Sequence, residues 1–102
     1  MQPQELAKKI AAGHPPVVVD VRTGFEFKAG HIVGAINAPV WKILLRLVPL
    51  PQDKQTEMVV LCELGPRAMA GLAVLGLYGY RNTSLLDGHM SAWRRLGLPQ
   101  EK

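Results

Sequence analysis

The chain holds a single cysteine, and its neighbours are those of a nucleophile rather than of a spectator. Cys62 follows the apolar run Met58-Val59-Val60-Leu61 and opens the segment Cys62-Glu63-Leu64-Gly65-Pro66-Arg67, which leads into Ala68-Met69-Ala70-Gly71-Leu72-Ala73. An apolar run, a tight Gly-Pro loop and an Ala/Leu-rich stretch predict strand, loop and helix in succession. That arrangement sets a thiol at the carboxyl edge of a sheet, facing a helix N-terminus. Loop amides and the positive end of the helix favour thiolate, the nucleophilic form. The loop has the form C-x-x-x-x-R: inward-turned amides would make an anion-binding nest around the sulfur. Gly65 permits the tight path, Pro66 stiffens it and suits the first turn of the helix, and Arg67 can close the ring with a cation. Such a cradle suits a thiolate, a persulfide or an oxyanion bound to sulfur.

The remaining elements must bring this loop to a sheet edge. Gln4 to Ala12 has helical spacing (Leu6, Ala7, Ile10, Ala11) and stops at Gly13. Val17 to Val21 is a β-branched run of the kind covered on both faces of a sheet. Thr23 caps a short helix through Lys28, ended by Gly30, and Gly34 to Asn37 is a brief strand cut off by Pro39. Val40 to Val48 is expected to be a helix terminated by Pro49 and Pro51, with Lys42 and Arg46 on one face and the rest apolar. It is a core helix with one solvent stripe or, alternatively, a docking patch. Met58 to Leu61 is a strand, Arg67 to Leu77 a helix, Thr83 to Leu86 a strand and Met90 to Leu96 a last helix, with Gly97-Leu98-Pro99 ending the fold. Alternating strands and helices predict an α/β domain: a parallel sheet with helices on both faces. Sites in such sheets form beyond the carboxyl ends of the strands, where Asp20, Cys62 and Asp87 fall.

Length and composition frame this. The 102 residues suffice for one domain with one core, spanning 1–102. The chain is 48% hydrophobic and 20% charged, as ordinary globular proteins are. No apolar run approaches a membrane span and no basic leader precedes one; a lone cysteine leaves no internal disulfide, so a cytoplasmic location is expected. The net charge of +4 comes from scattered lysines and arginines not interleaved with aromatics, which argues against a nucleic-acid partner and fits a small anion or an acidic protein. His14, His31 and His89 are too dispersed around one cysteine for a metal site.

Three motifs, in order, resemble the rhodanese family: Asp20-Val21-Arg22-x-x-x-Glu26-Phe27-x-x-Gly30-His31-Ile32-x-Gly34-Ala35-x-Asn37-x-Pro39, then Cys62-x-x-Gly65-x-Arg67, then Asp87-Gly88-x-x-x-x-Trp93 with Gly97-Leu98-Pro99. The resemblance runs from about Glu5 to Pro99. It implies a three-layer α/β/α sulfurtransferase with a central, mostly parallel sheet of four to five strands. Cys62 would be the catalytic nucleophile that carries a persulfide, and Glu63, Leu64, Gly65, Pro66, Arg67 and Ala68 the substrate loop. A donor such as thiosulfate or a persulfide would supply sulfur to cyanide, a thiol or a sulfur-carrying protein, with no cofactor or metal. A monomer or weak homodimer is expected.

The chain departs from the family pattern in three places. Glu63 puts a carboxylate beside the thiol, and pointing inward it would oppose thiolate formation and repel thiosulfate. His89 replaces a second glycine after Asp87-Gly88; it is a surface turn residue or, as an accessory group, a proton donor or anion ligand. The short strand that usually precedes the first helix is reduced or missing. Asp20 and Arg22 are expected to pair near the loop, with Arg22 as an anion ligand the lesser alternative. His31 is expected to be structural, Trp93 to lie in the core and Trp41 to sit partly exposed near the site. Two rival functions follow: a binding or regulatory module without turnover, and a cysteine phosphatase or arsenate reductase, whose C-x-x-x-x-x-R loop is one residue longer.

Overall fold

The computed structural model describes residues 1–102. The chain forms α1 (Pro3–Ala11), β1 (Val17–Asp20), α2 (Gly24–Ala29), β2 (His31–Ile32), β3 (Ile36–Asn37), α3 (Val40–Leu44), β4 (Met58–Leu61), α4 (Pro66–Leu77), β5 (Thr83–Leu85), α5 (His89–Arg95) and β6 (Gln100–Glu101). Four strands make one sheet in the order β3-β1-β4-β5, every neighbour pair parallel. The β-branched strands β1 and β4 lie at its centre, in register from Val17 opposite Met58 to Asp20 opposite Leu61.

Alternation along the central strands divides the interior in two. Val19, Met58, Val60 and Cys62 join Ile43 of α3 and Ala68 and Leu75 of α4 on one face. Val18, Val59 and Leu61 join Leu6 of α1 and Met90 and Trp93 of α5 on the other. A period of two residues does this without any further instruction. Each large side chain so buried contributes about 1.5–3 kcal/mol of transfer free energy. Trp93 is fully buried, its indole N–H donating to the Pro99 carbonyl at 2.9 Å, as the core reading expects.

Four elements differ from the sequence expectation: α3, β3, and the ribbon strands β2 and β6. α3 stops at Leu44 instead of reaching Val48, so Pro49 lies beyond its end. Arg46 sits in the left-handed region at φ 56°, its guanidinium stacked 4.5 Å from the centre of the Tyr78 ring, and the Tyr78 hydroxyl donates to the Leu44 carbonyl. The tyrosine therefore satisfies a carbonyl the helix leaves free and replaces the turn that would have continued it. The brief strand begins at Ile36 rather than Gly34. Finally, the fold does not end at Pro99: Gln100–Glu101 pairs antiparallel with His31–Ile32 in a separate two-stranded ribbon. No strand precedes α1. Met1 alone lies along β5, its amino group donating to the Leu85 carbonyl at 2.8 Å and its carbonyl accepting from the Asp87 amide at 2.9 Å.

Candidate active site

β4 delivers Cys62 one residue past its last paired position, at the carboxyl edge of the sheet. The chain then turns at Gly65, whose φ of 140° only glycine adopts readily, and enters α4 with Pro66 in the first turn. This turn brings the Gly65 N–H to 2.9 Å from Cys62 Sγ, a hydrogen bond that favours negative charge on sulfur. Cys62 itself is 1% exposed, so the sulfur lies on the floor of the loop. Leu64, at the tip, is 74% exposed, while Ala68 is buried under the first turn of α4.

The loop's charged residues are spent on partners outside it. Arg67 does not close a ring over the sulfur. Its guanidinium grips Glu26 in a two-pronged contact of 2.6 and 3.0 Å. Glu26 is already fixed by a reciprocal cap with Thr23, whose hydroxyl accepts the Glu26 amide while the Glu26 carboxylate accepts the Thr23 amide. The Arg67 hydrogen bonds, aided by those of Thr23, lower the Glu26 carboxyl pKa to about 2. Glu63 likewise turns to cations: it pairs with Arg94 of α5, and Arg22 Nη1 lies 3.5 Å from its carboxylate. Two arginines thus compensate the carboxylate that the sequence places beside the thiol.

Arg22 extends this network inward. It is 2% exposed, its Nε and Nη2 donate to the fully buried Asp20, and Nη2 also donates to the Gly30 carbonyl at 2.8 Å. Asp20 and Arg22 therefore anchor the sheet edge on which the loop rests. Its Nε and Nη2 are engaged by Asp20 and the Gly30 carbonyl, and Nη1 faces the Glu63 carboxylate at 3.5 Å. His31 is structural: its ring stacks on Phe27 with 3.6 Å between centroids, and Nδ1 donates to the Phe27 carbonyl at 2.8 Å.

His89 is not a surface turn residue. It is 7% exposed and lies at the start of α5 with φ 54°. Its Nδ1 accepts the Cys62 N–H at 3.2 Å, and its Nε2 lies 3.3 Å from where a side chain on Gly65 would begin. The next two residues continue the grip: the Met90 amide donates to the Cys62 carbonyl and the Ser91 amide to the Glu63 carbonyl. Turn chemistry alone points to exposure because it carries no information about what packs against the turn.

A cleft of about 580 Å³ opens beside the loop, lined by Val21, Thr23, Val40, Trp41, Lys42 and Arg67 among others. Trp41 is half exposed on its wall, near the site as its place after Pro39 implies. No three His, Cys, Asp or Glu side chains come together as a metal site, and no helix is long and apolar enough to cross a membrane.

The chain is similar to known proteins over its whole length. The profile of the rhodanese-like domain matches residues 2–96. A sulfurtransferase of Allochromatium vinosum is 32% identical over 94% of this chain and 88% of its own length. An HTH-type transcriptional regulator of Mycobacterium tuberculosis, Rv0324, is 37% identical over 96% of this chain, which spans 42% of that protein. The crystal structure of a rhodanese-related protein from Thermoplasma volcanium superposes with a TM-score of 0.81 at 27% identity, covering 99% of this chain and 95% of that one. Fold, loop and sequence agree: this chain belongs to the rhodanese-like domain family.

Proposed function

We propose that the protein is a sulfurtransferase that carries sulfur as a persulfide on Cys62. The observation that supports this most directly is the Gly65 N–H held 2.9 Å from Cys62 Sγ in the strand–loop–helix turn. The Cys62 thiolate attacks the outer sulfur of thiosulfate or of a persulfide donor. A new S–S bond forms as the donor's S–S bond breaks, and sulfite or a thiolate leaves with the bonding pair. A thiolate or cyanide then attacks the outer sulfur of the enzyme persulfide, taking it as a persulfide or thiocyanate and returning the Cys62 thiolate. Covalent storage splits one transfer into two displacements, and the preorganised Gly65 amide stabilises anionic sulfur on Cys62. A reducing compartment such as the cytoplasm keeps this thiol free. The loop's four intervening residues suit a sulfur atom better than a tetrahedral phosphate, which needs more amides around it.

A second reading, a binding or regulatory module without turnover, draws support from the near-complete burial of Cys62 and from the regulator among the relatives. One experiment separates the two. Intact-mass measurement after incubation with thiosulfate is expected to show one added sulfur atom that cyanide removes, with none on Cys62→Ser. No adduct, or an equal adduct on Cys62→Ser, would overturn the sulfurtransferase reading.

A further inference from the structure

We propose that His89 is a positioning residue: its neutral imidazole holds the Cys62 backbone in place, and protonation of the ring breaks that hold and slows sulfur transfer in acid. The proposal rests on the sulfurtransferase reading for its catalytic consequence and on geometry alone for the clamp.

The Cys62 N–H points at His89 Nδ1 across 3.2 Å. An amide can only donate, so Nδ1 must present its lone pair, and the ring proton is assigned to Nε2. A second proton has one place to go, Nδ1 itself. It would turn the acceptor into a donor and set two N–H groups against each other over a bond that no longer exists. The ring has little room to yield. It is nearly buried, its Nε2 side abuts Gly65, and the residue after it is fixed by the Met90 N–H to Cys62 carbonyl bond of 3.0 Å. Strain from a protonated ring therefore passes into Cys62 and Gly65, the two residues that make the hydrogen bond to sulfur.

The charges around the ring do little to welcome a proton. Asp87, in the turn before α5, favours the cation, but the Met1 amino group stands 3.9 Å from its carboxylate. Glu63 on the loop is paired with Arg94 of the same helix and with Arg22 of the β1 edge. Arg67 at the start of α4 is paired with Glu26 of α2. Cys62 is the remaining titratable neighbour. Burial pushes the His89 pKa below its ordinary value, with Asp87 opposing in part, so the clamp is closed at neutral pH and opens only in acid.

Two substitutions suit the left-handed backbone at this position, so strain does not confuse the test. His89→Asn offers a carbonyl oxygen where Nδ1 stood and does not titrate; His89→Gly offers nothing. In a pH series of amide spectra, the Cys62 N–H resonance of the parent protein is expected to shift with the same midpoint as the His89 ring, and not to shift with that midpoint in His89→Asn. The parent's sulfur-transfer rate, divided by that of His89→Asn, is expected to be constant above about pH 6.5. It should fall by about fivefold in acid, the size of one lost hydrogen bond. His89→Gly should be slower than His89→Asn at every pH. A Cys62 resonance indifferent to the ring, or an equal acid loss in His89→Asn, would overturn the proposal. Coupled titration without sulfur transfer at any pH would keep the clamp and overturn the sulfurtransferase reading.

Discussion

Two histidines in this molecule are equally buried, each 7% exposed, and they are wired in opposite senses. His31, in the ribbon formed with the C-terminal strand, donates Nδ1–H to a carbonyl and turns Nε2 to the Glu101 carboxylate 3.3 Å away. Both partners of this ring are acceptors, a carbonyl on one side and a carboxylate on the other. His89, under the cysteine loop, uses Nδ1 to accept an amide, and a proton there meets another proton. Burial by itself therefore says nothing about what a histidine does; the polarity of its partners decides. The ribbon surrounds its imidazole with acceptors, whereas the loop sets a backbone donor against its own.

Arg22 joins the two regions, touching the Gly30 carbonyl beside His31 and the Glu63 carboxylate beside Cys62. Replacing it attacks both at once. Arg22→Met leaves Asp20 charged and fully buried without its partner, and urea unfolding is expected to show a loss of about 3–5 kcal/mol. A smaller effect is expected on the loop side alone. Glu63→Gln and then Glu63→Lys should raise the rate of thiosulfate-dependent sulfur uptake, by about fivefold per unit charge for a partly solvated site. A flat response would show that Glu63 faces solvent, which screens its charge from the sulfur. Smaller again is the pH dependence of stability. Because the folded state holds the His89 pKa low, the unfolded chain binds the proton first. Stability should decline as pH falls from about 6.5 toward the folded value. Denaturant midpoints across that window should lose this component in His89→Asn. The smallest effect belongs to the ribbon: Glu101→Gln removes an exposed carboxylate from the Gly34 amide and from His31, and should leave sulfur transfer unchanged in rate assays.

The order of the helices and of the four sheet strands, the parallel sheet and the cysteine at its edge are legible in the sequence, because they rest on local signals: apolar runs at Val17 and Met58, glycine and proline at the breaks, and a lone thiol before Gly65-Pro66. What stayed hidden depends on residues far apart in the chain. Nothing near Arg46 announces that Tyr78 will stack on it and end α3 early. Gln100–Glu101 carries no strand pattern and is ordered only by pairing with His31–Ile32. The partners of Glu63 and Arg67 lie 31 and 41 residues away, so their side chains could be given a role but not a direction. The burial of His89 is hidden for the same reason: its partner, Cys62, is 27 residues distant.

The two-sided alternation of β4 gives the thiol an address that is counted rather than shaped. Met58, Val60 and Cys62 share one layer and Val59 and Leu61 the other. Inserting or deleting a single residue between Met58 and Leu61 would carry the sulfur through the sheet into the layer of α1 and α5, away from Gly65. A change of two would keep its layer and slide it roughly 7 Å along the strand. Length variation in this strand is therefore compatible with the chemistry only in even steps, and only when the loop that follows takes up the slack.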